Sequence, residues 1–208
     1  QPDQVAPQDF ARLGTNDVTL RWLDGQQAVI LPDDGRPTWL LASTDSPLSS
    51  EWESILKGAE AFPTISGSGY SLWKLPEELP GAGATMSEFT LGDGRINLFD
   101  SSHIAQSDHQ LIVSTAWQQQ AEPAPVKMFI HLLDRNGEIV SQWDGLGVAW
   151  AGWRRGDILR QISTLDLPSE MPADQYRVVA GLYDPETLER WRLPSGTEFV
   201  ELTEIVVP

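Results

Sequence analysis

The chain contains no cysteine. That absence excludes a disulfide framework, a thiolate metal site and a cysteine nucleophile. Positive charge is scarce: 14 Lys and Arg stand against 30 Asp and Glu, and the lysines are only Lys57, Lys74 and Lys127. A formal net charge of −16 argues against a nucleic-acid partner, because neutralising phosphates takes clustered basic side chains. It argues against an anionic lipid surface for the same reason. No run approaches the roughly 18 consecutive apolar residues of a spanning helix, so no direct lipid insertion is expected. The opening stretch QPDQVAPQDFARLG has neither the basic nor the apolar region of a signal peptide. Nor is the acidity concentrated. Residues 1–80 hold 5 basic and 12 acidic side chains, and residues 81–208 hold 9 and 18, so neither half is a charged arm.

What remains is a globular composition: 208 residues, 40% hydrophobic and 9% aromatic, long enough to bury a sizeable core. The Pro- and Gly-bearing stretch PEELPGAGAT, residues 76–85, reads as a seam that divides a segment 1–80 from a segment 81–208. The first segment predicts mixed α and β structure. Helical turns are expected at 9–13, and strands at 18–23, 28–31, 38–42 and 70–75. Asp24-Gly25 supplies a two-residue hairpin turn. A helix opens near Ser46-Pro47, carries Leu48, Trp52, Ile55 and Leu56 on one face, and stops at Gly58.

The second segment predicts strands at 86–91, 95–99, 111–117, 126–133, 138–143, 158–167, 176–183, 189–193 and 198–207, with Asn136-Gly137 as a hairpin signal. Val126, Met128, Ile130 and Leu132 form one apolar face at period two, and Tyr176, Val178, Ala180 and Leu182 another. The expected fold is therefore mainly β: an antiparallel β-sandwich, Ig-like or jelly-roll-like, preceded by a small α/β segment.

Familiar catalytic signatures are missing. Ser66-Gly67-Ser68-Gly69 lacks the spacing of a nucleophile elbow. Gly81-Ala82-Gly83 lacks the third glycine of a dinucleotide loop. The run Asp134–Glu138 begins like a calcium loop without its distal Glu, and reads as a hairpin turn. No catalytic residue, metal or cofactor is assigned. His103 and His109 flank Asp108 in a polar loop, at a spacing that suits neither a helical pair nor a zinc site. His131 falls mid-strand, opposite the face of Ile130 and Leu132, and is expected to be half-buried with a backbone or carboxylate partner. Asp100, Asp144, Asp157 and Asp184 sit at strand ends, where turns also use Asp.

Tryptophan is the one excess, with nine in the chain. The run Val148–Arg155 sets Trp150, Trp153, Arg154 and Arg155 on one glycine-bearing loop. Indole faces stack on sugar C–H faces and guanidinium groups hold hydroxyls or anions. These four residues, with His131 and Asp144, are the candidate ligand-binding residues. The competing reading of Trp117, Trp143 and Trp153 is core filling.

The motifs resemble a known family. VKMFIHLLDRNGEIVSQWDG supplies Phe129, His131, Leu132, Asp134 and Asp144-Gly145. A turn follows with Trp153, Gly156 and Asp157, then a hairpin with Tyr176, Gly181, Leu182, Tyr183 and Asp184. In this order they resemble the C-terminal soluble domain of bacterial membrane glycosyltransferases of the dolichyl-phosphate-mannose–protein mannosyltransferase type. RWLDGQQAVILP and YSLWKLP resemble the small piece preceding that sandwich. The resemblance implies a non-catalytic extracytoplasmic domain tethered through upstream transmembrane helices. Its implied partners are a glycan, or the membrane-embedded part of the same polypeptide. A stand-alone carbohydrate-binding module, and a small glycoside hydrolase or esterase with a concealed carboxylate site, are the alternatives.

Overall fold

The computed structural model describes residues 21–43, 45–62, 69–76, 83–99, 103–106 and 109–207. The expected helix at 9–13, most of the strand at 18–23, Ser66 to Ser68 of the serine–glycine run, the centre of the seam, Asp100 and Asp108 lie outside the described residues.

The protein is mainly β, and the sheets among the described residues are all antiparallel. The largest contains β1 (Ala28–Leu31), β5 (Thr85–Leu91), β6 (Gly94–Phe99), β7 (His103–Gln106), β8 (Gln110–Gln119) and β11 (Ile158–Asp166). Their order is β1-β11-β8-β6-β5, with β7 also on β8. The long β8 is shared: Leu98 of β6 pairs with Trp117, whereas His103–Gln106 pair along Leu111–Ser114. A second sheet has the order β10-β9-β12-β13, from β9 (Lys127–Leu133), β10 (Ile139–Gly145), β12 (Asp174–Tyr183) and β13 (Val200–Val207). Facing side chains of the two sheets fill one core. Phe89, Ile96, Leu98, Leu111, Val113, Trp117, Leu159 and Leu165 meet Met128, Ile130, Leu132, Tyr176, Val178, Ala180 and Leu182. This is the expected sandwich.

The small segment covers the sandwich's other side. It holds a three-stranded sheet, β2 (Trp39–Ser43), β4 (Tyr70–Lys74) and β3 (Glu60–Phe62) in the order β2-β4-β3. A single helical stretch, Ser50–Leu56, lies between β2 and β3. It begins three residues later than expected, because the Ser49 hydroxyl accepts from the Glu51 N–H and caps it there. Leu40, Trp52, Ile55 and Leu75 pack on Val29, Leu31 and Ile162 of the large sheet.

Strand β1 shows the consequence. Ala28 and Ile30 enter the sandwich core, and Val29 and Leu31 enter the second core. A strand buried on both faces reads as an uninterrupted apolar run, here Ala-Val-Ile-Leu. Because β1 pairs along β11, the division at residue 80 does not coincide with a sheet boundary.

Three expectations are corrected. Asp24-Gly25 is not a two-residue hairpin turn: the Ala28 N–H reaches the Asp24 carbonyl, and Leu23 bridges Val148 instead. Residues 103–106 form a strand on β8 rather than a polar loop; with one strongly strand-forming side chain in His-Ile-Ala-Gln, they carry little local signal. Residues 189–193 form no strand. Arg190 bridges Tyr183 and Arg192 bridges Thr90 of β5, so this segment crosses from one sheet to the other.

Buried Gln161 ties the layers together. Its amide donates to the carbonyls of Gln27 and Ile162, at 3.1 and 2.8 Å, and its Oε1 accepts the Gly147 N–H at 2.9 Å. Replacement by leucine keeps the volume and strands the Gly147 N–H without that acceptor. Gln161→Leu is expected to lower unfolding free energy by about 2 kcal/mol, read as a shifted urea midpoint at unchanged m-value.

Candidate functional site

Inward residues of β9 and β12 alternate with outward ones. On the outer face the register sets Asp144 opposite Phe129, Phe129 opposite Gly181, and His131 between Gln142 and Val179. Gly181 has to be glycine, since a Cβ there would overlap the Phe129 ring. The absent side chain lets that ring lie across β12. Phe129 and His131, two residues apart on one strand, are in tilted contact at 4.5 Å between ring centroids.

Arg190 closes this cluster from above. Its guanidinium carbon lies 4.1 Å from the Phe129 ring centroid and 6.0 Å from that of Tyr183, a cation–π arrangement. The turn after β12 delivers it. Asp184 accepts from the N–H groups of Glu186 and Thr187, and its own N–H meets the Glu189 carbonyl. The turn forces Leu188 to φ 61°, a left-handed conformation that costs a leucine roughly 1–2 kcal/mol.

His131 Nε2 stands 3.9 Å from Asp144 Oδ2. That separation exceeds hydrogen-bond range, so the pair interacts by charge proximity. The imidazole is 9% exposed and the carboxylate 35%. Burial pushes the His131 pKa below its usual value; Asp144 opposes the shift and Arg190 adds to it. Tyr183 is pushed the other way, first by burial and then by the Asp144 carboxylate. At neutral pH the cluster therefore offers a neutral imidazole, a protonated phenol, a carboxylate and a guanidinium. These can donate to and accept from hydroxyl groups. Among the described residues, the charged neighbours acting on His131 and Tyr183 are Asp144 and Arg190.

Of the six candidate residues, the structure brings His131 and Asp144 together and places the other four elsewhere. Trp153 is fully buried in the sandwich core, and its indole N–H donates to the Asp157 carbonyl at 3.0 Å. It has no face to offer a ligand. Trp150 packs, partly buried, against the same core. Arg154 and Arg155 are exposed. The loop is a structural knot around Asp157, which accepts the Arg154 N–H at 2.8 Å and pairs with Arg21, also at 2.8 Å. Burial raises the Asp157 pKa against the pull of that N–H and of Arg21.

Asp184 and Asp134 serve their turns, Asp134 taking the N–H groups of Asn136 and Glu138. Core filling holds for Trp117, and Trp143 packs partly buried against the same core. Among the described residues, no group of three or more potential metal-ligating side chains occurs.

The residues that sequence reasoning missed as site members are Phe129, Tyr183 and Arg190. Period two already sets Phe129 and His131 on one face, and Gly181 and Tyr183 on one face. The pairing of β9 with β12 was needed to join them.

Neither a protein-family model nor a curated protein matches the chain. Among solved structures, it is similar to a β-glucuronidase from glycoside hydrolase family 2, with a TM-score of 0.39 and 10% identity. The match covers 52% of this chain and 11% of that one. A likeness at that level identifies neither a family nor an activity.

Two outcomes follow from the cluster. His131 should titrate below its ordinary value of 6.5 in an NMR pH series. Asp144→Asn should lower its midpoint further, and Arg190→Ala should raise it. Because the folded pKa is depressed, the His131 contribution to stability is complete above pH 6.5 and declines as pH falls through the folded midpoint. Leu188 is 71% exposed, so Leu188→Gly sacrifices little packing and releases the left-handed strain. After the entropy cost of glycine it should stabilise the fold by roughly 0.5–1 kcal/mol in urea unfolding.

Proposed function

We propose that this chain is a non-catalytic, extracytoplasmic β-sandwich domain of a membrane glycosyltransferase-like protein, and that the outer face of its four-stranded sheet contacts a sugar of the glycan or acceptor. The observation that carries this reading is a convergence. Phe129 and His131, Asp144, and Gly181 and Tyr183 belong to three separate motifs of the family resemblance, and they meet in one surface cluster.

The chemistry suits a polyol. Asp144 accepts from hydroxyls, Arg190 donates to them, and the half-buried Tyr183 ring offers an aromatic surface for sugar C–H groups. Phe129 is covered by Arg190 and supports that arginine rather than touching a ligand. No helix among the described residues is long and apolar enough to cross a membrane. Tethering, in this reading, belongs to transmembrane helices elsewhere in the polypeptide, whose membrane-embedded part is the second partner.

The test is an amide-NMR titration with manno-, gluco- and N-acetylglucosamine oligosaccharides up to about 10 mM, beyond the weak end of specific binding near 1 mM. Shifts should concentrate on β9, the end of β10 and residues 181–192. Arg190→Ala should reduce affinity at least tenfold with the fold intact, and aryl glycosides and aryl esters should remain unhydrolysed. Absence of any sugar-induced shift there, or turnover that depends on Asp144, overturns the reading.

A further inference from the structure

A second surface, on the opposite side of the molecule from the His131 cluster, is built for a different contact. In the three-stranded sheet Leu40 and Ala42 of β2 point into the protein, and Trp39 and Leu41 point out. The register sets Leu41 opposite Leu72, Leu72 opposite Phe62, and Ser43 opposite Tyr70. The outer face thus carries Trp39, Leu41, Phe62, Tyr70 and Leu72 together. The Trp39 ring reaches over the central strand to Phe62, with centroids 5.0 Å apart. Trp39 is 49% exposed, Leu41 48% and Tyr70 41%. Sheet faces turned to solvent ordinarily carry polar side chains; here Ser43, Lys74 and Glu60 share the face with these apolar and aromatic ones.

Area and charge select the occupant. An aromatic side chain carries about 150–250 Å², so these three half-exposed side chains present roughly 300 Å². A stable protein interface takes about 800 Å² from each partner, more than these three side chains supply by themselves. Its charges balance: Glu60 lies opposite Lys74, in a chain whose net charge is −16. A neutral ligand incurs no repulsion here, whereas an anionic surface would be repelled. The Trp39 ring bears a polar edge, its indole N–H, which suits a ligand with apolar faces and hydroxyl rims. From Trp39 to the row of Tyr70 is four residues, about 13 Å along the sheet, room for about two sugar rings end to end.

We infer that the outer face of the β2-β4-β3 sheet is a binding platform for a neutral polysaccharide chain, separate from the His131 cluster and independent of the function proposed for it.

Affinity electrophoresis of the full chain through gels containing mannan, β-glucan or hydroxyethyl cellulose tests this. At least one of these polymers should retard the protein. In an Arg190→Ala background, which removes the sugar contact proposed for the His131 cluster, retardation should persist, and adding Trp39→Ala or Leu41→Glu, both at exposed positions, should each weaken it at least tenfold with thermal unfolding unchanged. Retardation of Arg190→Ala that survives both face substitutions overturns the inference, as does the absence of retardation of Arg190→Ala by all three polymers. A Trp39-dependent dimer in sedimentation, or Trp39-dependent flotation with phosphatidylcholine vesicles, also overturns it by assigning the face to another occupant.

Discussion

The six-stranded sheet has apolar side chains on both of its faces, and each face must be kept from water by a different layer. One face meets the four-stranded sheet and the other meets the helical stretch and the three-stranded sheet. Strand β1 is the clearest case, because its four residues alternate between the two cores. A single-residue slip of its pairing with β11 would exchange the two sets. Gln161 restrains that register through bonds to the carbonyl before β1, to its own strand and to Gly147. The cost of an orphaned buried N–H enforces the arrangement.

The outer face of the four-stranded sheet is fixed from within by the same alternation. With Met128, Ile130 and Leu132 held in the core, Phe129 and His131 have no direction but outward. Their burial there comes from Gly181 on the neighbouring strand and from Arg190, which a strained turn carries across the face. The depressed pKa of His131 and the raised pKa of Tyr183 follow from that enclosure. The two faces proposed to meet sugars differ accordingly. One is a polar cluster over buried rings; the other is an open aromatic surface with balanced charge.

Much of the sandwich could be read from periodicity. Strands β5, β6, β8, β9, β11 and β12 each have several apolar side chains at period two or in a short apolar run, and glycine turns separate several of them. Residues 103–106 escaped that reading because a strand can be recruited by a partner's unpaired edge without much propensity of its own. Residues 189–193 misled it because Trp191 and Leu193 alternate like a strand, yet each backbone bridge goes to a different sheet. In the Trp150–Arg155 loop the structure decides only the role of Trp153. Two indoles beside two guanidiniums resemble a binding surface, but Trp153 is a core side chain and the loop closes on Asp157.

The sequence by itself determined that the protein is acidic, free of thiol chemistry and built from antiparallel strands, because composition and period-two patterning act locally. It also placed His131 on the face away from the core, and the resemblance rested on residues that belong to the cluster. Only the tertiary structure decided that Asp144 stands beside His131, that Arg190 covers Phe129, and that the outward side of the small sheet is aromatic. Each of these depends on strand register or on a turn's direction, which are settled by contacts between residues distant in the chain.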